Sequence, residues 1–237
     1  MSGFEPRLSI LPASQLSLWP CLRPVAELGL VLYGGTAIAL RLGHRESVDF
    51  DFFTDRPLDV PALRKALPCL DDATVLQDAP DTLTVLVRPL GAADTVKLSF
   101  FGGLGFGRVS CPEPTSDQVL QVASMPDLMA TKLKVLMQRT EAKDYLDLAA
   151  MIRAQVSLPH GLAAARQLFG AAFQPAEALK ALSYFKGGDL DLLPANVVST
   201  LVQAVARVDD LPTVTILSRS LDNARPAAGM APAPKPR

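Results

Sequence analysis

From residue 47 to residue 53 the chain reads Ser-Val-Asp-Phe-Asp-Phe-Phe, with polar and apolar residues alternating. Only an extended strand turns a period of two into one buried face. The segment therefore predicts a half-buried β-strand with Phe50 and Phe52 facing a core and Asp49 and Asp51 sharing the other side. Just upstream, Leu28-Gly-Leu-Val-Leu-Tyr33 is a short apolar strand candidate ending at Gly34-Gly35-Thr36, and residues 35–42 have the composition of a helix. Strand, glycine turn, helix and Asp-x-Asp strand follow one another within about twenty residues, which is one compact unit.

Around this unit, residues 14–28 read as a helix broken near Pro20 and Pro24, and residues 60–67 as another helix. Strand-like runs follow at 73–77, 82–88 and 95–101, before the glycine-rich turn 102–107. From Pro126 the pattern becomes helical, with prolines at 126, 159, 175 and 194 each suited to a first helical turn. The expected fold class is α+β. A domain on a small mixed sheet spans 1–110, an all-helical domain spans 111–222, and a Pro/Ala-rich tail at 223–237, with little to bury, is expected to be disordered.

Composition narrows the function classes. With 237 residues, 49% of them apolar and 20% charged, the chain has ordinary globular composition. A formal net charge of −1 provides no general basic field for nucleic acid. Such binding would need a local patch, for which Lys132, Lys134, Arg139, Lys143 and Arg153 are candidates. No secretory pattern opens the chain and no stretch approaches the roughly 18–20 apolar residues of a membrane span, so a cytoplasmic protein without membrane contact is expected. Cys21, Cys69 and Cys111 are widely spaced and read as reduced, mostly buried thiols; with His44 and His160 they form no zinc pattern.

Asp49 and Asp51 lie about 7 Å apart along a strand, close enough to repel unless a cation sits between them or solvent screens them. Two converging hard-oxygen ligands suit Mg²⁺, which completes its shell with substrate phosphates and water. Backbone N–H groups at a Gly34-Gly35 turn opening a helix make an anion site, and the Thr36 hydroxyl can donate to it. A phosphate cradle beside a carboxylate pair implies phosphoryl or nucleotidyl chemistry. A second block carries concentrated charge. In a helix beginning near Pro126, Lys132, Leu136 and Arg139 share a stripe, and on the next helix Asp144 and Asp147 are neighbours, with Lys143 four residues before Asp147.

The stretch from Tyr33 to Phe53 resembles the Gly-Ser/Thr…Asp-x-Asp signature of the polymerase-β-like nucleotidyltransferase superfamily. Its particular form, GGTAIALRLGHRESVDFDFF, is similar to the AbiEii/AbiGii nucleotidyltransferase toxins of abortive-infection and type IV toxin–antitoxin systems. The second block extends the resemblance: a Lys-Leu-x-x-Leu-x-x-Arg helix at 132–139 and a Lys-Asp-x-x-Asp helix at 143–147, so that roughly residues 28–155 are covered. The resemblance implies Asp49, Asp51, Lys132 and Asp147 as catalytic residues, Gly34, Gly35, Thr36 and Lys132 as nucleotide-binding, and Mg²⁺ on Asp49 and Asp51. Lys132 would neutralise triphosphate charge, and Asp147 would orient Lys132 or take the proton of an attacking hydroxyl, with Asp144 a structural partner of Arg139 or Lys143. The implied reaction moves a nucleoside monophosphate from a nucleoside triphosphate to an RNA 3′ end, in particular tRNA, with a separately encoded antitoxin as partner. Transfer to a small molecule or a protein, and a non-catalytic nucleotide-binding regulator, are the alternatives.

The sequence departs from the superfamily at one point. A third carboxylate is usual on a later core strand, yet the strand candidate 95–101 places only Lys97 and Ser99 on its polar side, and Asp94 stands at its edge. Either Asp147 supplies the missing acid or the metal site is incomplete. Lys97 is expected near phosphate or in solvent. His44 and Arg45, just before the Asp-x-Asp strand, are expected to line the cleft, with His44 as a possible base.

Overall fold

The computed structural model describes residues 3–223, so the expected tail lies, apart from Asn223, outside the described residues. The chain opens with α1 (Ala13–Leu18) and α2 (Pro24–Glu27), separated by the 3₁₀ turn Trp19–Leu22 around Pro20. Then come β1 (Val31–Tyr33), α3 (Gly34–Leu42), β2 (Asp49–Phe53), α4 (Val60–Ala66), β3 (Thr74–Ala79), β4 (Thr82–Val87) and β5 (Val96–Phe101). Two short strands, β6 (Glu113–Pro114) and β7 (Gln121–Val122), precede α5 (Met125–Leu136), α6 (Ala142–Arg153), α7 (Leu158–Phe169), α8 (Pro175–Ala181) and α9 (Ala195–Ala206). Among the described residues no helix is long and apolar enough to cross a membrane.

The strands form one mixed sheet in the order β3-β4-β5-β2-β1-β7-β6. Strand β2 lies at its centre, antiparallel to β1 and parallel to β5. Its period of two is realised in full: Phe50 and Phe52 are wholly buried, and with Leu98 and Phe100 of β5 they form an apolar layer. Phe52 stacks on Phe100 with centroids 5.3 Å apart, and Trp19 closes over Phe50. Each of these phenylalanines contributes roughly 1.5–3 kcal/mol by leaving water. The opposite side of β2 carries Asp49, Asp51 and Phe53, and it faces the helical half of the chain across the cleft described below. At the sheet edge β3 is exposed along its whole length.

The boundary expected at residue 110 does not coincide with the sheet. Strand β7 pairs in parallel with β1 through Leu32 and Val122, so the sheet continues to residue 122 before the helices begin. Two-residue strands hold too few residues to show a period, which is why the sequence pattern passed over them. The chain also returns after α9. Arg108, buried at the end of the sheet domain, donates to the carbonyls of Ser220 and Asp222, while Asp55 accepts from the backbone of Leu221 and Arg56 pairs with Asp222 at 2.6 Å. Helix α5 packs on both α6 and α7, α9 packs on α6, and α3 packs against α5 and α6, tying the two halves into a continuous core. Of the three thiols, all free, Cys21 and Cys111 are exposed, contrary to the expectation of burial; Trp19 and Leu22 take the buried side of the turn that carries Cys21.

Candidate active site

Between β2, β5 and α5 lies a cleft of about 440 Å³ whose walls include Gly34, Gly35, Arg45, Asp49, Asp51, Lys97, Lys132 and Arg139. The glycine turn is shaped by this site. Gly34 has φ +74°, a left-handed conformation, and a Cβ there would sit 2.5 Å from Asp51 Oδ2, so backbone and carboxylate approach more closely than any side chain permits. At Gly35 a Cβ would collide with Nη2 of Arg45, whose guanidinium lies over the turn. The first turn of α3 takes no side-chain cap, which leaves its N–H groups for an anionic ligand.

Thr36 has a different place from the one expected. Its side chain is buried, its hydroxyl donates to the Asp49 carbonyl, and it lies 2.8 Å from Ser47 Oγ. It fixes the start of β2 against α3 and does not line the cleft. Asp49 and Asp51 both do line it, on the same face of β2 as the period predicts. In the parallel register Asp49 stands beside Lys97 and Asp51 beside Ser99. Lys97 Nζ is 3.0 Å from Asp49 Oδ2. Burial first, and then the charge of Asp49, push the Asp51 carboxyl above the usual carboxylate range, while Lys97, Lys132 and the Ser99 hydroxyl pull it back. Asp51 is therefore held toward its neutral form in the protein alone, chiefly because it is withdrawn from water.

The second carboxylate pair is in the reverse condition. Asp147 and Asp144 of α6 are fully buried. Asp147 receives Arg45 through Nε at 2.6 Å and Nη2 at 2.9 Å, Lys132 Nζ at 2.7 Å, and His44, whose Nε2 is 2.7 Å from Oδ1. Asp144 receives Lys132 at 2.7 Å and Arg139 Nε at 2.9 Å. Burial would raise both acids, but hydrogen bonds from His44 and Arg45 on Asp147, and from Arg139 on Asp144, together with the Lys132 charge, hold both below the ordinary range. Lys132, with 6% of its side chain exposed, thus donates to Asp144 and pairs with Asp147 while it still borders the cleft.

The geometry brings together Gly34, Gly35, Asp49, Asp51 and Lys132 in one cleft, and it places Asp147 behind Lys132. Arg45 lines the cleft as expected; His44 reaches Asp147 from the side, outside the lining. Asp94 is exposed at the foot of β5 and is not part of the cleft. Phe53, Phe101, Thr131, Val135 and Gln138 also border it and had no sequence signal beyond membership of their elements. Among the described residues no cluster of three or more His, Cys, Asp or Glu is arranged to hold a metal. Two carboxylates side by side on an accessible cleft wall nevertheless fit a hard divalent ion that arrives with triphosphate oxygens.

A family model described as nucleotidyl transferase AbiEii toxin, type IV toxin–antitoxin system, matches residues 22–215. An uncharacterised protein of Aquifex aeolicus is 33% identical over 138 residues, which is 56% of this chain and 64% of that protein, so the chain spans less than two thirds of the relative's length. Among solved structures, MenT4, a nucleotidyltransferase toxin from Mycobacterium tuberculosis H37Rv, superposes with a TM-score of 0.57 at 14% identity, over 84% of this chain and 87% of that one. A crystal structure of an H. pylori protein assigned as a nucleotidyltransferase superposes with a TM-score of 0.53 at 19% identity, over 81% of this chain and 92% of its own. These two likenesses establish a shared fold. The matched span contains the glycine turn, the paired aspartates of β2 and the lysine and acids of α5 and α6, and the chain belongs to the AbiEii family of nucleotidyltransferase toxins.

Proposed function

We propose that the protein transfers a nucleoside monophosphate from a nucleoside triphosphate to an acceptor hydroxyl, with an RNA 3′ end, in particular that of tRNA, as the leading acceptor. The observation that carries this reading is the position of Asp49 and Asp51, side by side on the cleft wall and next to the uncapped start of α3. In the reaction the acceptor hydroxyl gives up its proton to solvent as its oxygen bonds to the α-phosphorus, the bond from that phosphorus to the bridging oxygen breaks, and pyrophosphate leaves. Mg²⁺ held by Asp49 and Asp51 would supply Lewis-acid stabilisation of the reacting phosphate. The backbone of Gly34 and Gly35 would seat phosphate oxygens, and the Arg45 guanidinium over Gly35 would pair with them.

Lys132 would offset the negative charge that grows on the departing pyrophosphate, and Asp147 would serve by holding Lys132 and Arg45 in place. With all its near neighbours already donating to it, Asp147 is better suited to that positioning role than to taking a proton. Toxicity through RNA modification in the cytoplasm, relieved by a separately encoded antitoxin, is the physiological counterpart of this reading.

Incubation of the chain with Mg²⁺, labelled triphosphates and total RNA tests it. Label is expected in the tRNA fraction and is expected to vanish in the Asp49→Ala/Asp51→Ala variant; unlabelled RNA, or equal label with the variant, would refute the assignment. Label in a small-molecule or protein fraction would redirect the acceptor. The Lys97–Asp49 pair in place of a third acid favours one second reading, a nucleotide-binding regulator without turnover. Calorimetry that finds triphosphate binding with no product across all acceptors would select it.

A further inference from the structure

The polar face of β5 is the remaining place from which the sheet could give the site another ligand. In register with Asp49, Asp51 and Phe53 it presents Lys97, Ser99 and Phe101: an ammonium, a hydroxyl and a phenyl ring. The ammonium is engaged, with Nζ 3.0 Å from Asp49 Oδ2, and both side chains are about one third exposed to the cleft. A pair of divalent ions in a phosphoryl-transfer site sits about 3.5–4 Å apart and needs negative ligands for both. Here one of the two carboxylates already shares an oxygen with a fixed positive charge. A second dication on that side would have to lie against the lysine.

We propose that Lys97 is a resident counter-ion that confines the Asp49–Asp51 pair to a single divalent cation. The lysine supplies from the protein a positive charge beside Asp49, on a strand whose polar face carries no acid. Asp49 and Asp51 would hold the single ion while Lys97 remains paired with Asp49. This inference rests on the nucleotidyl-transfer reading of the cleft, but it concerns metal stoichiometry and not the acceptor.

The test uses the full chain, Mn²⁺ as the probe, and a triphosphate analogue with a non-hydrolysable α,β bridge. Bound Mn²⁺ is counted from the loss of the free-ion paramagnetic resonance signal, with the analogue alone as reference, for the wild type, Lys97→Met and Lys97→Glu. Circular dichroism verifies that each variant is folded, as a partly exposed position should allow. Expected are one protein-dependent Mn²⁺ in the wild type, the same single ion bound about tenfold more tightly once Lys97→Met frees Asp49, and a second ion in Lys97→Glu, where a carboxylate stands in register with Asp49. Two ions in the wild type, or one ion of unchanged affinity in all three proteins, would overturn the inference and leave nucleotidyl transfer intact. A wild type that takes up neither Mn²⁺ nor the analogue would remove both.

Discussion

The protein holds two pairs of aspartates under opposite electrostatic regimes. Asp144 and Asp147 are sealed inside the helical half, and four basic side chains, Lys132, Arg139, Arg45 and His44, converge on them. Asp49 and Asp51 stand on the cleft wall, where Lys97 pairs with Asp49, and Asp51 is held toward its protonated form. Buried charges persist when neutralised by partners within the fold, as in the first pair. Where that neutralisation is left incomplete on an accessible surface, the arrangement anticipates a ligand that brings the missing charge. One pair is enclosed by the fold and the other faces the cleft.

Substitutions should separate the two. Asp147→Ala removes the acceptor shared by Arg45, Lys132 and His44 and should destabilise the fold by about 3–5 kcal/mol, read from urea unfolding; a loss under 1 kcal/mol would mean the network relaxes around the gap. Asp49→Ala/Asp51→Ala should do the converse, lowering nucleotidyl transfer by about 10²–10³-fold or more while the unfolding midpoint stays level or rises. Gly34→Ala should cost about 1–2 kcal/mol through its left-handed backbone and also depress activity, because the new methyl presses on Asp51.

The smallest effect is in pH dependence. The folded-state value of Asp51 lies above its unfolded value of 3.8, so its ionisation opposes folding at neutral pH and that penalty is relieved as pH falls toward about 4. Asp51→Asn should abolish this relief and raise stability at pH 7. Asp144 and Asp147 lie below 3.8 when folded, so their stabilisation is complete above that pH and drains away only in stronger acid. An acid melt of Asp51→Asn should therefore differ from the wild type above about pH 4 and follow it below. Coincident curves throughout would show that Asp51 is not strained by its surroundings.

Much of this was legible because it is periodic. The strand alternation around Asp49 and Asp51, the prolines that open α5 and α7, and the three-residue spacing of Asp144 and Asp147 are local patterns, and each element formed where its pattern stands. Partners across long sequence separations were not legible. Nothing in the chain announces that Arg45 reaches Asp147, or that residues 217–222 return to Arg108, since those contacts depend on tertiary packing. The Thr36 hydroxyl, expected at phosphate, is a case where a polar group near a motif is consumed by the fold itself. Lys97 was visible on the right face of its strand, but its place beside Asp49 required the register between β2 and β5.

The convergence of Arg45 and His44 from the sheet side with Lys132 and Asp147 from the helical side has a dynamic consequence. It bolts the two walls together at the floor of the cleft. Rocking one wall away from the other would strand several ionised groups at once, so incoming molecules meet a mouth that is already open, and accommodation is left to rotamers at the rim such as Lys143 and Gln138. Capture should then be governed by encounter and by electrostatic attraction, and the observed rate should climb linearly with ligand concentration instead of levelling off at a slow unlocking step.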